Sequence, residues 1–260
     1  MQKTALITGG TSGLGKALAI KLAKKDYSVA IVGRDPERLR SVVEEASSHT
    51  KQVIKALPCE FANENEVDGL FEKAQQALGN SIELLVNNAG YSVLGSVEDV
   101  PLDEMKRCWN VNFVSAVNLT KQALPEMLKL KKGMIVNISS GTAFRAVPYE
   151  SAYCSSKAAL KSFSESLRVE VEKSGVQILI FSPGPLASSF FDARPKFGNS
   201  HSPSIPFKGQ DPKSIAENLY KAILARKKVV TLGWKAQMVS HLNQFSPILV
   251  DKLMKRIYKT

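Results

Sequence analysis

"KTALITGGTSGLG", residues 3–15, is the stretch that decides the fold. Its first half is a short apolar run ended by glycines, a pattern typical of a buried strand. Gly9, Gly13 and Gly15 follow, and residues 15–25 have the spacing of a helix. Glycines let a backbone approach a ligand closely, and a helix N-terminus offers unpaired N–H groups to an anion. The stretch therefore predicts a strand, a phosphate-binding loop and a helix.

The rest of the chain repeats this alternation of strand and helix. Short apolar runs that lack strict alternation indicate strands buried on both faces, and helical spacing separates them. The pattern predicts an α/β, doubly wound, Rossmann-type fold of three layers, with a parallel sheet of about seven strands and helices on both faces. We expect residues 1–233 to form this single domain. The six further runs are residues 28–33, 52–57, 82–88, 133–139, 176–182 and 228–233.

Composition narrows the class of protein. The chain has 260 residues, 44% of them hydrophobic and 23% charged, which is ordinary for one large globular domain. The three cysteines and three histidines are scattered without metal spacing, so we expect reduced thiols, no metal site and a cytoplasmic location. The N-terminal apolar run is too short for a signal peptide, and no run is long enough to span a membrane.

Three further motifs follow predicted strands or open a helix. They are "NNAG" at 87–90, "YCSSK" at 153–157 and "SPGPL" at 182–186. Together with the TGxxxGxG spacing of residues 8–15, they resemble the classical short-chain dehydrogenase/reductase family over nearly the whole chain. The resemblance implies a nicotinamide cofactor and interconversion of a carbonyl and an alcohol. The implied cofactor contacts are Gly9, Thr11, Ser12, Gly13, Leu14, Gly15, Asn88, Ala89, Gly90, Pro183, Gly184, Leu186 and Ser188, where Ser188 replaces the more usual threonine.

Tyr153 and Lys157 stand four residues apart, so both side chains share one helix face. Free tyrosine has a pKa near ~10 and is poorly tuned as a proton shuttle at neutral pH. A nearby ammonium favours the phenolate and lowers that pKa. The pair therefore predicts a general acid and base, and the resemblance implies that Lys157 also holds the ribose hydroxyls of the nicotinamide half.

The resemblance implies two more catalytic residues. Ser140 lies thirteen residues before the tyrosine and would bind the substrate oxygen, with Ser139 as the near competitor. Asn112 would complete the tetrad by distorting a helix and holding a water near the lysine, and Asn110 is its alternative.

The end of the second strand predicts NADP(H). Gly33 stands where an acid would hold the ribose 2′-hydroxyl of NAD, and Arg34 follows it, suited to a 2′-phosphate. The alternative is a solvated arginine offset by Asp35. After the third strand, Glu60 replaces the family's usual aspartate beside the adenine amino group, and Phe61 would line the same pocket.

The least regular segment, residues 186–210, is the predicted substrate lid. It carries Phe190, Phe191, Phe197 and Phe207, while Phe144, Val147, Pro148 and Tyr149 precede the catalytic helix. In this fold both segments flank the substrate pocket, which favours an apolar, lipid- or steroid-like carbonyl compound. The alternative is that these phenylalanines only pack the lid.

The last segment, residues 234–260, is predicted to be an amphipathic, basic helical extension broken near Pro247. From Lys221 onward the chain has nine Lys and Arg and one acid, so this region holds +8 of the +11 net charge. The helices would pack beside the active site, form a dimer face or lie on an anionic membrane. Its apolar positions are Val239, Leu242, Phe245, Leu249, Leu253 and Ile257.

The predicted partners are a small carbonyl or alcohol substrate and a second copy of the chain, in a homodimer or tetramer. Nucleic acid is not expected, because the basic residues are not interleaved with stacking aromatics. The alternative function is an NADP(H)-binding sensor without turnover, against which the intact tetrad argues.

Overall fold

The structure, a computed structural model, describes residues 3–187, 190–199 and 209–258, except for the side chains of residues 234–237 and 240. Seven parallel strands form one sheet in the order β3-β2-β1-β4-β5-β6-β7. The predicted parallel α/β fold is confirmed. The strands are β1 (Lys3–Thr8), β2 (Tyr27–Gly33), β3 (Ile54–Pro58), β4 (Leu84–Asn87), β5 (Gly133–Ile138), β6 (Val176–Ser182) and β7 (Val229–Thr231).

Helices follow the strands, as the spacing of the sequence predicts. The helices in the described ranges are α1 (Gly13–Ala23), α2 (Pro36–Ser47), α3 (Glu64–Val67), α4 (Leu70–Leu78), α5 (Leu102–Trp109), α6 (Ser115–Leu130), α7 (Ser151–Glu170), α8 (Pro212–Leu224), α9 (Trp234–Phe245) and α10 (Pro247–Tyr258). Two short turns complete them: a π-helical turn, Asn110–Val114, and a 3₁₀ turn, Gly141–Ala143.

Both faces of the sheet are covered, because alternate side chains of each strand point to opposite faces. Ala5 and Ile7 of β1 join a core with α1, α2 and α8. Leu6 joins a second core with α4, α6 and α7. This double burial explains why the strands read as continuous apolar runs rather than as alternating ones.

The order in which the strands are added to the sheet reverses at β1. This strand pairs with β2 on one side and with β4 on the other. In open α/β sheets, ligands bind at such a reversal, beyond the carboxyl ends of the strands. The glycine loop after β1 and the "NNAG" segment after β4 therefore meet at the predicted binding crevice.

The C-terminal helices break at Ser246–Pro247, as predicted, and α10 packs on the domain. Its buried side chains are Val250, Met254 and Tyr258, which contact Val147 and Tyr149. Those two residues contact α10, and their place beside the substrate pocket stays a prediction. The predicted apolar stripe is only partly packed: Val239 and Ile257 lie against this cluster, whereas Leu242, Phe245, Leu249 and Leu253 are exposed. Within the described ranges, no helix has both the length and the apolar character needed to cross a bilayer.

Candidate active site

The glycine loop is fitted tightly against the "NNAG" segment. Gly9 has a φ of +63°, and a Cβ there would lie 2.8 Å from Ala89 Cα. A Cβ at Gly15 would lie 2.3 Å from the Gly9 carbonyl oxygen. The Asn88 side chain donates to the carbonyls of Thr8 (3.0 Å) and Gly9 (3.1 Å), which ties the two loops together. Only glycine fits these positions, so the loop backbone is left open to a ligand.

Helix α1 begins inside this loop, at Gly13, and its N-terminus suits an anion. Ser12 is the N-cap residue, and its side chain makes no capping hydrogen bond. The first turn of α1 contains no acidic residue. The free hydroxyl, the unpaired N–H groups and the positive end of the helix dipole therefore fit a pyrophosphate. Thr11 and Leu14 lie in the same turn.

The carboxyl end of β2 lies beside the glycine loop. A Cβ at Gly33 would lie 2.6 Å from Thr11 Cγ2, so a side chain at this position would require the Thr11 side chain to shift. Asp35 is the N-cap of α2, accepting from the N–H groups of Glu37 and Arg38, and it also pairs with Arg38 at 3.2 Å. Arg34 is exposed and makes no ion pair with any described residue. Asp35 is therefore engaged with α2 rather than with Arg34.

Glu60 borders an open hollow of about 410 Å³. One carboxylate oxygen accepts from the Ala62 N–H (3.2 Å), and the other lies 3.4 Å from Arg107 Nη2. Phe61 is buried in the core that includes α4 and does not line this hollow. Arg107 lies 47 residues from Glu60, so no local spacing signals this contact, and we did not predict it from the sequence.

Asn112 lies in the π-helical turn between α5 and α6, which agrees with the helix distortion that the resemblance implies. Its Oδ1 accepts from the Tyr91 N–H (2.7 Å), and its Nδ2 donates to the Tyr91 carbonyl (2.8 Å) and to Ser156 Oγ (2.9 Å). The side chain thus joins the "NNAG" loop to α7. Asn110 instead donates to the Ala62 carbonyl at 3.4 Å, on the side of the hollow.

Ser140 and Lys157 are brought together at the end of β5. Ser140 Oγ accepts from the N–H (3.2 Å) and the hydroxyl (3.0 Å) of Thr142. Lys157 Nζ is buried and donates to the Ile138 carbonyl at 2.9 Å. Ser139 is buried, and its hydroxyl donates to the Lys157 carbonyl (3.3 Å). Ser140 is therefore the serine with the more accessible hydroxyl.

Tyr153 is buried at the start of α7, with Lys157 Nζ 6.0 Å from its ring centroid. Burial raises the pKa of the phenol well above its usual value, although a hydrogen bond from Ser140 opposes the shift. Burial also lowers the pKa of Lys157 to about 8. Burial sets the net direction of the shift in the pKa of Tyr153, and the lowering by the Lys157 ammonium that the spacing leads us to expect stays a prediction.

Backbone hydrogen bonds join the two ends of the lid, just after the turn predicted to contact the nicotinamide. The Ala187 N–H donates to the Gln210 carbonyl (2.9 Å), and the Gln210 N–H donates to the Pro185 carbonyl (2.8 Å). Gly184 lies against Gln210, and Leu186 packs on the core of α1 and α8. Pro183 directly follows β6. Ser188 and Phe207 lie outside the described residues.

Two rings of the lid cover the tyrosine. The centroids of Phe190 and Phe191 each lie 6.0 Å from that of Tyr153, and Phe190 also touches Gly90. Phe197 pairs its backbone with Leu94, which holds the lid against the loop after β4.

A buried ion pair fixes the same part of the lid. Arg194 Nη1 lies 2.7 Å from Glu150 Oε1, and each side chain is only 7% exposed. Burial raises the pKa of Glu150, and the Arg194 guanidinium opposes that shift. Glu150 directly precedes α7, so the pair joins the lid to the catalytic helix. The sequence gives no signal for it, because the partners are 44 residues apart.

We expect Arg194→Met to lower the free energy of unfolding by about 3 to 5 kcal/mol, because it leaves the Glu150 carboxylate buried without a partner. Urea unfolding monitored by circular dichroism measures this loss. The double variant Glu150→Gln/Arg194→Met leaves no charge unpaired and should recover most of the stability. An Arg194→Met protein as stable as the wild type would show that the pair does not hold the lid.

Comparison with known proteins identifies the family. The sequence pattern of the short chain dehydrogenase family matches residues 3–197, and the chain belongs to this family. It is similar to the dehydrogenase/reductase SDR family protein 7-like of Anopheles gambiae, with 33% identity over 263 residues, 98% of this chain and 82% of that protein. The chain is thus an oxidoreductase of the short-chain dehydrogenase family.

Solved structures confirm the fold. A short-chain dehydrogenase/reductase of Burkholderia phymatum in complex with NAD has a TM-score of 0.84 at 22% identity, covering 95% of each chain. A short-chain dehydrogenase of Sphingobium yanoikuyae in complex with NADPH has a TM-score of 0.81 at 21% identity, covering 95% of this chain and 96% of that one. The two neighbours hold different nucleotides, so the choice between NAD and NADP rests on this chain's own residues.

Proposed function

We propose that the protein is an NADP(H)-dependent oxidoreductase that interconverts a carbonyl and an alcohol, with Tyr153 as the general acid and base. The observation that carries the proposal is the meeting of Ser140, Tyr153 and Lys157 at the carboxyl end of β5. They lie beside a glycine loop whose shape and helix N-terminus fit a dinucleotide.

Carbonyl reduction needs a hydride at carbon and a proton at oxygen. NADPH, when bound, would supply the hydride. The Tyr153 hydroxyl would donate its proton to the carbonyl oxygen, and Ser140 Oγ would hydrogen-bond the same oxygen and orient it. The phenol must be protonated to act as this acid, and burial, which raises the pKa of Tyr153, favours that form. In alcohol oxidation the same residue would act as the base.

Lys157 and Asn112 would assist the tyrosine without donating the proton themselves. The Lys157 ammonium would stabilise the phenolate that remains after proton transfer and would hold the ribose hydroxyls. Asn112 would position the "NNAG" loop and α7 relative to each other through its bonds to Tyr91 and Ser156. We also propose that Glu60 accepts a hydrogen bond from the adenine amino group in the hollow that Arg107 borders.

Three features of the β2 end support NADP(H) over NAD(H). Gly33 carries no acid that would bind a ribose 2′-hydroxyl. Asp35 is occupied by the cap of α2 and by Arg38, so it does not neutralise Arg34. The exposed Arg34 guanidinium is then available to a 2′-phosphate through two parallel hydrogen bonds.

We expect Arg34→Ala to raise the KM for NADPH about 10- to 100-fold, the value of a charge-assisted hydrogen bond or two, while the KM for NADH barely changes. Initial rates with each nucleotide measure the ratio. Arg40→Ala, which removes another exposed arginine near the same end of α2, is the matched control and should leave the ratio as in the wild type. An equal change for both nucleotides in Arg34→Ala would contradict the assignment to NADP(H).

The substrate is proposed to be an apolar, lipid- or steroid-like carbonyl compound. Phe190 and Phe191 are its support, because they pack on Tyr153 and would give an apolar surface to a substrate that reaches its hydroxyl. NADPH oxidation with a panel of apolar and polar ketones tests the proposal, and a preference for polar ketones would refute the substrate class. NADPH binding without oxidation by any ketone would instead support the sensor alternative. The homodimer or tetramer stays a prediction, which light scattering checks.

A further inference from the structure

The outward faces of α9 and α10 carry a group of exposed apolar side chains, here named the apolar ridge. Phe245 is 86% exposed and Ile248 is 72% exposed. Among the described residues, fourteen large apolar side chains are exposed, and six of them belong to this ridge while the other eight are scattered. Such a concentration marks an interaction surface rather than ordinary surface composition. The ridge consists of Met238, Leu242, Phe245, Ile248, Leu249 and Leu253.

The ridge is not needed to attach α10 to the domain. Val250, Met254 and Tyr258 are buried and already make that attachment. Leu249 and Leu253 precede two of them by one residue each and are exposed. Helix α10 therefore carries apolar residues beyond those that its contact with the domain uses.

Positive charge accompanies the ridge. Lys252, Lys255 and Arg256 are exposed on α10, and none of the three has an ion-pair partner among the described residues. Asp251 is the only acid from Lys221 to the end of the chain, and it is paired with Arg145 of the domain. The one acid of these helices is thus engaged with the domain, and the surface around the ridge offers three exposed cations.

We propose that the apolar ridge docks on the surface of an anionic lipid bilayer. Phe245 and Ile248 enter the boundary between headgroups and acyl chains, and the cations of α10 contact lipid phosphates. Each helix has 12 residues, whereas a span needs about 20, so the attachment is peripheral.

A second copy of the chain suits this surface less well. In a two-fold dimer the same patch faces itself, so the cations of α10 on both copies would be brought together. Like charges placed opposite each other cost several kcal/mol at an interface. An anionic bilayer offers the ridge both an apolar layer and the opposite charge.

Docking would also orient the catalytic domain. Helix α10 contacts Val147 and Tyr149, which lie just before the helix that carries Tyr153. The side of the domain that faces the lipid is therefore the side of the segment that leads into the active site. Membrane binding itself does not depend on the proposed activity and is tested without a substrate.

Co-sedimentation of the full chain with lipid vesicles tests the proposal. The vesicles contain phosphatidylcholine with phosphatidylglycerol, or phosphatidylcholine alone. We expect binding to the anionic vesicles, and Phe245→Asp/Ile248→Asp should lower the partition coefficient at least about tenfold, since two apolar side chains lose their burial. The matched control is Val97→Asp/Val169→Asp, which changes two exposed valines outside the ridge and should bind as the wild type does.

A second set of variants tests the charges without altering apolar contacts. Lys252→Gln, Lys255→Gln and Arg256→Gln should each weaken binding to anionic vesicles about fivefold. These variants also decide the matter if the aspartate variant fails to fold, which its thermal melt would reveal. The proposal is overturned if the wild-type chain does not sediment with anionic vesicles, or if the ridge and control variants lose binding equally. It is also overturned if the ridge variant abolishes a dimer seen by light scattering while no vesicle binding occurs.

Discussion

Replacement of Tyr153 by phenylalanine is expected to lower the turnover number for NADPH-dependent carbonyl reduction about 10²- to 10⁴-fold, the usual contribution of a positioned acid. The variant loses only the hydroxyl that would protonate the carbonyl oxygen. It keeps the ring that packs on Phe190 and Phe191, so stability and NADPH affinity should stay as in the wild type. The turnover number comes from NADPH absorbance, and the dissociation constant comes from NADPH fluorescence.

Tyr149→Phe is the matched control for this prediction. It removes a tyrosine hydroxyl four residues earlier, on the side that faces α10, and should leave turnover nearly unchanged. Equal turnover of Tyr153→Phe and the wild type would show that the phenol is not the proton donor. Equal losses in both variants would show that a general disturbance of this segment, and not the chemistry of Tyr153, lowers the rate.

Lys157→Met is expected to lower turnover by about 10²-fold or more and to weaken NADPH binding as well, since the ammonium is proposed to serve both the phenolate and the ribose. Burial lowers the pKa of Lys157 to about 8, so its charged form declines as the pH rises through that value. The kcat/KM for reduction by the wild type should therefore fall above about pH 8. That ionisation should be absent from the pH profile of the variant.

Lys161→Met is the control for the lysine. Lys161 lies one helical turn further along α7 and pairs with Glu165 at 2.7 Å, outside the site. Its variant should keep the wild-type rate and pH profile. A Lys157→Met enzyme that retains the wild-type profile would remove Lys157 from the proton-transfer step.

The fold could be predicted because its signals are local. Each strand is buried on both faces and so appears as a short apolar run. Each helix appears as a stretch whose apolar residues recur at helical spacing. The glycine loop could also be predicted, because its glycines stand at fixed positions after the first strand. The structure gives the reason for two of them: neighbours of Gly9 and Gly15 leave no space for a Cβ. The tetrad was found through resemblance to a family, because a Tyr and a Lys four residues apart would not alone identify a catalytic pair.

Contacts between distant segments could not be predicted. The Glu150–Arg194 pair and the Glu60–Arg107 contact depend on how loops fold over the sheet, and no spacing in the sequence marks them. The sequence showed that the last helices carry apolar positions, but not which of these positions face the domain and which face solvent. Periodicity shows that an apolar face exists and not which neighbour covers it. The burial that raises the pKa of Tyr153 could not be predicted either, since the sequence shows the nearby lysine but not the rings of Phe190 and Phe191 that pack on the phenol.

The central claim is that Tyr153 and Lys157 act as one proton-transfer unit, and a double-mutant cycle tests it most directly. Turnover of a ketone chosen from the panel is compared for the wild type, Tyr153→Phe, Lys157→Met and the double variant. If the pair acts as a unit, the double variant should be scarcely slower than the worse single variant. Losses that multiply in the double variant would mean that the two residues act independently, and would contradict the proposed mechanism.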